Sequence, residues 1–306
     1  MSRQGVEKQR TMDHVDYLME SEEESIRLEA KTDPAVVEQQ ALWAEIRPGM
    51  RVADLGCGCG KTTSVLHRLV QPGGTAIGVD LSEKRLEYAH DNYAREGIEF
   101  IRGDILGSLD ELGSFDFVWI RFVLEYFRSN ASEIVRSASR IVRPGGTLCL
   151  IDLDHNCLSH FGLSERLERA IVKCARVLEE EFNFDPYAGR KLYSLLYDLG
   201  YERVTVNVHA HHVIYGALGS VDASNWAKKI EIVSRKAGFA FDEYKGGREE
   251  FMEEFTRFFF DPRRFSYTPL ICARGCKPAP RLSERDRKGG SPSSVEFDGA
   301  VELLHE

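Results

Sequence analysis

From Arg51 onward, short apolar runs alternate with amphipathic stretches. Residues 52–55, 75–79, 98–101, 115–120 and 147–151 each read as a buried strand. Between them, 61–70, 82–96 and 132–142 place apolar residues at helical spacing, which predicts βαβ units and a parallel sheet. Arg143-Pro144-Gly145-Gly146 predicts a tight turn before the fifth strand. Upstream, residues 1–49 are polar and mostly helical in pattern, with a helix over 34–46 that Pro48-Gly49 stops. Downstream, helices are expected at 165–181 and 191–199, a long strand at 203–215, helices at 225–237 and 248–260, and a last strand at 268–273. Within 203–215, Val204, Val206, Val208 and Ala210 share one face, and Thr205, Asn207, His209 and His211 the other. His212 falls on the parity of the apolar face, which makes it a bulge or a pocket position. The chain shows no internal repeat, and Pro, Gly and Ser crowd the segment from 278 to 306, which predicts a disordered tail.

Composition bounds the function classes. With 306 residues, 42% hydrophobic and 29% charged, the chain suits one large α/β domain with additions or two modest ones. A net charge of −9 repels polyphosphate, which argues against nucleic acid and anionic membrane surfaces as partners. No stretch approaches the ~18 apolar residues a membrane helix needs, and the start lacks the apolar core of a signal peptide. Seven cysteines without a CxxC pair suit reduced thiols in a cytoplasm.

The segment Val52-Ala53-Asp54-Leu55-Gly56-Cys57-Gly58-Cys59-Gly60 carries the strongest chemical signal. A strand ends in an acid, glycines follow at alternate positions, and a helix starts at Lys61. Glycines let such a loop turn tightly against a ligand, and the helix start supplies free N–H groups. A phosphate-binding P-loop would need glycine where Leu55 stands, and a dinucleotide fingerprint would need Gly or Ala at Lys61. What stands is D-x-G-x-G-x-G. The second strand then ends Gly78-Val79-Asp80-Leu81-Ser82, the third Arg102-Gly103-Asp104-Ile105, and the fourth runs into Arg121-Phe122-Val123-Leu124-Glu125-Tyr126.

In this order, these elements resemble the class I S-adenosylmethionine-dependent methyltransferases, of the type 11/12/25-like group. The resemblance covers roughly residues 45–155 well and the rest thinly. It implies a three-layer, doubly wound, Rossmann-like α/β fold with a mostly parallel seven-stranded sheet. An N-terminal helical lid (1–49), a cofactor-binding core (50–155) and a C-terminal half (156–277) with a helical substrate cap inserted before the last strand would complete it. The implied cofactor is S-adenosyl-L-methionine, with S-adenosyl-L-homocysteine as product. Asp54, Gly56, Cys57, Gly58 and Gly60 would form its loop, Asp80 with Leu81 would hold the ribose, Asp104 and Ile105 the adenine, and Arg121 would stand beside them. Asp16-Tyr17-Leu18 and Arg27-Leu28 look like a lid seen in one subgroup, where Tyr17 and Arg27 would reach the methionine end. Tyr126 replaces a histidine common in the family, so no histidine role carries over.

No general base stands out. Tyr126, Asp154, His155, His212 and Tyr215 are candidates because they follow the fourth, fifth or sixth strand, at the edge where such sheets bind ligands. A metal role for His209, His211 and His212 is discounted, since no acid or cysteine lies at ligand spacing. Phe251, Phe255, Phe258 and Phe259 read as core, and Glu22-Glu23-Glu24 as a solvated helix start. The chain lacks the acid-Pro-Pro-aromatic ending of nucleic-acid amine methylases, a Pro-Cys pair, and the strand-end aspartate of metal-dependent catechol enzymes. A small-molecule acceptor is the expected partner, with a homodimer as an admissible assembly. Two other readings are a binding module without turnover and, with less support, an NAD(P)-dependent oxidoreductase.

Overall fold

The computed structural model describes residues 24–156, 158–236 and 241–279. Its centre is a sheet whose first strands are apolar on both faces, as a sheet covered by helices on each side requires. Strands β1 (Arg51–Leu55), β2 (Thr75–Asp80), β3 (Ile98–Arg102), β4 (Phe115–Arg121) and β5 (Val142–Leu153) run parallel in the order 3-2-1-4-5. The order reverses between β1 and β4, and ligands of such sheets bind at that switch point, beyond the carboxyl ends of the strands. Strand β8 (Phe265–Cys276) lies antiparallel beside β5, and β7 (Glu202–Tyr215) pairs with β8 along the outer edge.

The sheet has eight strands among the described residues, one more than the seven expected. The addition is the two-residue β6 (His160–Phe161). β5 leaves β8 at the pair Leu153–Leu270, and after a loop the chain returns to pair His160 with Ser266 and Phe161 with Phe265. A second difference concerns Arg143–Gly146, which lies inside β5 as a bulge and not before it. β4 advances from Phe115 to Phe117 while β5 advances from Val142 to Thr147. Gly145, at φ +78°, donates to the Lys277 carbonyl, and Lys277 donates back to Gly146, both at 2.8 Å.

Helices α1 (Glu24–Lys31), α2 (Pro34–Trp43), α3 (Lys61–Leu69) and α4 (Glu83–Tyr93) precede or follow the first strands. Asp33 caps α2 by accepting from the Ala35 N–H at 2.8 Å, with Pro34 in the first turn, where a missing N–H costs nothing. Ser82 caps α4. Val37 and Ala41 of α2 and Val65 and Leu66 of α3 bury one face of the sheet against Trp119 and Cys272. The other face is covered by α5 (Ala131–Ile141) and α7 (Leu192–Asp198). A third cluster is separate. It joins α6 (Glu165–Glu181) to α8 (Ser220–Lys236) and α9 (Gly247–Phe260), which are inserted before β8; four of the five phenylalanines of α9 are buried there, and Phe260 is exposed. This insertion stands over the carboxyl edge of the sheet.

Candidate active site

The glycine loop is shaped by backbone conformations that disfavour side chains. Gly56, Gly58 and Gly60 have φ of +78°, +56° and +83°. The N–H groups of Gly56 and Cys57 donate to the Val79 carbonyl at 2.7 and 3.0 Å, tying the loop to the end of β2. Asp80 completes the tie, because its Oδ2 accepts from the Gly58 N–H at 2.9 Å. Its Oδ1 accepts from the Ser82 N–H at 2.9 Å and from Arg85 Nε at 3.1 Å. The strand-end acid thus braces the loop and also lies in an ion pair. Arg85 was not singled out in the sequence, although it stands five residues on, in the first turns of α4. Asp54 is buried beneath the loop and accepts from Thr63 Oγ1 at 2.7 Å. Burial pushes its carboxyl up to about 7, against the pull of Thr63 and of Arg121. Cys57 and Cys59 are both buried, and burial pushes the Cys57 thiol well up, so it packs as a small apolar group.

Helix α1 lies over this loop. A Cβ at Gly58 would come within 3.1 Å of Leu28. Glu29 anchors the helix: it pairs with Lys61 Nζ at 3.0 Å and accepts from the Tyr93 hydroxyl at 2.6 Å. Burial pushes Glu29 up, but the bonds from Tyr93 and Lys61 outweigh it and leave the carboxyl below its ordinary value. Arg27 lines the cavity beyond the loop and pairs with Glu24 through both its Nε, at 2.7 Å, and a terminal nitrogen. Glu24 is buried, so the expectation of a solvated helix start fails there: the arginine one turn on draws it inside. Tyr17, with Glu22 and Glu23, lies outside the described residues, as does the tail from Pro280.

A cavity of about 160 Å³ opens beside the loop, between the end of β4, α1 and the helical insertion. Arg121, Phe122, Glu125 and Tyr126 enter it from β4 and the turn that follows. Arg121 donates to Gln40 Oε1 at 3.1 Å and lies over the Phe122 ring; burial lowers its guanidinium to about 10. Glu125 is buried and accepts from Asn156 Nδ2 at 2.6 Å, and Asn156 Oδ1 in turn accepts from Lys229 Nζ at 3.0 Å. Burial pushes the Glu125 carboxyl up, while Lys229 and Asn156 pull it down. His211 and His212 enter from the bulge of β7, where His212 has φ +52° and the register shifts. The parity argument for His212 holds on both counts. Burial, with Arg121 and Lys31 nearby, lowers His211 to about 4, and burial beside His211 lowers His212 to about 2. Both rings are neutral at pH 7.

Of the five candidates for proton transfer, the structure brings Tyr126 and His212 to the cavity and leaves out the other three. Asp154 is held by Arg190 in a two-pronged pair at 2.7 and 2.9 Å. His155 turns at φ +50° to set its ring against Tyr187, and Tyr215 is 69% exposed on the edge strand. Glu125, Asn156, Lys229 and His211 were missed as site residues. Glu125 follows β4, Asn156 follows β5 and His211 adjoins His212, so the candidates' own criterion reaches all three, whereas nothing local marks Lys229. Asp104 is exposed and accepts from the Leu106 N–H at 2.9 Å, Leu81 is 45% exposed, and Ile105 is buried among the core residues under β2 and β4.

These residues suit a nucleoside joined to an amino acid. Among the described residues no side chain caps the first turn of α3, so its N–H groups are available to a carboxylate, and Asp80 stands at the end of β2 beside the loop. A parallel sheet in this order, with an acid-glycine loop after its first strand, defines a doubly wound nucleotide-binding domain. Residues 53–150 match the family described as a methyltransferase domain. That segment, about a third of the chain, carries the fold of a class I methyltransferase domain. Among similar proteins, a demethylmenaquinone methyltransferase of Lactococcus lactis is 34% identical over 113 residues, which cover 36% of this chain and 44% of the relative. The methyltransferase GfsG of Streptomyces halstedii is 30% identical over 46% of this chain and 51% of its own length. The matches thus span about half of each relative. A methyltransferase candidate from Bacillus halodurans aligns with a TM-score of 0.52 at 17% identity, over 80% of this chain and all (100%) of that one. The YcgJ protein of Bacillus subtilis gives the same TM-score and identity, over 80% of this chain and 99% of its own. At that identity the likeness shows the fold.

Proposed function

We propose that this protein transfers a methyl group from S-adenosylmethionine to a small organic acceptor held in the cavity. The observation that carries the reading is the placement of that cavity. It begins at the end of β4, beside the glycine loop, and is roofed by the insertion, so an acceptor within it would face the sheet's ligand edge. The loop, Asp80 and the uncapped turn of α3 would hold the cofactor, which when bound supplies an activated methyl on a sulfonium. The chain's own residues have three tasks: to hold the acceptor, to exclude water, and to take a proton where the acceptor must lose one. Leu28 and the insertion close the site. His211 and His212 present unprotonated nitrogens at pH 7, and Glu125 is the carboxylate in reach.

The test is a thermal-shift panel of S-adenosylhomocysteine, NAD and ATP, followed by calorimetry. S-adenosylhomocysteine alone should stabilise the protein, and Asp80→Ala should weaken its binding at least tenfold. Bonds to a charged group are worth about 1.5–3 kcal/mol, and 1.4 kcal/mol is a factor of ten. The melting curve of the unliganded variant separates loss of the brace on Gly58 from loss of ligand contacts. Stabilisation by NAD, or unchanged affinity in the variant, would overturn the reading.

A further inference from the structure

The walls of the cavity differ sharply in character. Toward the insertion they are apolar, with Leu158, Ile171, Leu178, Trp226, Ile230 and Phe255. The charged groups are strongly one-sided in a chain of net charge −9: Arg27, Lys31, Arg121, Lys228 and Lys229 against Glu125. Two of these cations are explained by the fold, since Arg27 pairs with Glu24, and Arg121 sits on Gln40 with Asp54 and Asp152 nearby.

Lys229 is not. Its ammonium donates to the neutral amide of Asn156 at 3.0 Å and lies 5.4 Å from the centre of the Trp226 ring, and no carboxylate among the described residues pairs with it directly. Asn156 stands between it and Glu125, using its Nδ2 on the carboxylate and its Oδ1 on the ammonium. Placing a half-buried ammonium on an apolar wall is costly unless an opposite charge meets it. The second feature is its position, one residue from Ile230 and three from Trp226, so that the cation borders the apolar wall.

We propose that Lys229 anchors an anionic oxygen group of the acceptor, and that the acceptor is an amphipathic organic anion whose apolar body packs on Trp226, Ile230 and the neighbouring wall. The term acceptor rests on the proposed function; the anion site does not. Lys31 and Lys228, on the same walls, add to the positive potential. The cofactor, carrying a sulfonium and an ammonium against one carboxylate, adds one positive charge more. An anionic acceptor therefore gains where a neutral isostere does not.

Two dyes of nearly the same shape test this. 8-Anilinonaphthalene-1-sulfonate carries one sulfonate on an apolar ring system, and N-phenyl-1-naphthylamine carries the same rings without it. In fluorescence titrations of the full chain, the sulfonate should bind one site at least tenfold tighter than the neutral dye. Equal affinity of the two for the unaltered protein would overturn the proposal without any variant. Lys229→Gln should bring the two affinities within about threefold, and Lys229→Arg should restore the preference. Ala175→Trp, which fills the cavity, should abolish binding of both, and a preference that survives it or survives Lys229→Gln would also overturn the proposal. S-adenosylhomocysteine affinity is measured in parallel. A protein that shows the dye preference but does not bind S-adenosylhomocysteine retains the anion site and loses the methyl-transfer reading, and the reverse pattern does the opposite.

Discussion

A Cβ at Gly56 would land 2.5 Å from a methyl of Val123, in a backbone conformation of φ +78° that side chains disfavour. At Gly200 the φ is +73°, yet nothing lies within 4 Å of the added atom. The pair separates backbone strain from collision. Gly200→Ala should cost about 1 kcal/mol, the usual penalty of the left-handed conformation. Gly56→Ala should cost clearly more, on the order of 2–4 kcal/mol, and should weaken S-adenosylhomocysteine as well, both read by thermal melts and calorimetry. The glycine spacing announced this loop because chain geometry is a local property. Glu24, Asp154 and Tyr215 were harder: whether an acid or a tyrosine meets solvent depends on Arg27, Arg190 and an edge strand that the spacing does not reveal.

Elements were the most legible level. The helix expected at 165–181 is the one found, because Ser164 caps it and its apolar residues hold one face. The fifth strand is longer than expected, since the glycines that suggested a turn are absorbed as a bulge when Lys277 pairs with them. The two-residue β6 carries no periodic signal at all. Helix α1 was expected as a lid, but its anchor Glu29 was not, because Lys61 and Tyr93 lie 32 and 64 residues away. Glu29→Ala should loosen this helix by about 1–2 kcal/mol, which raises local opening roughly five- to thirtyfold. Trypsin should then cut at Arg27 or Lys31 several times faster, with S-adenosylhomocysteine restoring part of the protection. Unchanged cleavage would mean that other contacts hold the helix.

At the scale of the molecule, the sequence reached Arg27, Arg121, Tyr126 and His212 of the cavity but not its polar chain, which joins Glu125, Asn156 and Lys229 across separations of 31 and 73 residues. The same assembly sets a pH dependence. Burial beside Arg121 lowers His211 from 6.5 to about 4, so below pH 6.5 the unfolded chain takes a proton that the folded chain refuses. This contribution to stability is complete above pH 6.5 and is lost as the pH falls toward 4. At pH 5 it amounts to about 2 kcal/mol at 1.36 kcal/mol per unit, or roughly 4 °C in Tm. Asp54, raised to about 7, acts with the opposite sign, losing stability as the pH rises, and it is present in both proteins compared. His211→Gln should therefore lose about 4 °C less than the unaltered protein between pH 7 and pH 5. Parallel melting curves would show that His211 is solvated.

Helix α1 touches both halves of the site, with Leu28 on the glycine loop and Arg27 and Lys31 on the cavity wall. One helix covers both loop and cavity. Under the proposed function, cofactor and acceptor both lie against it, so its opening would couple the departures of the two products. A faster enzyme of this design is then made by loosening that eight-residue helix, and a more discriminating one by fastening it.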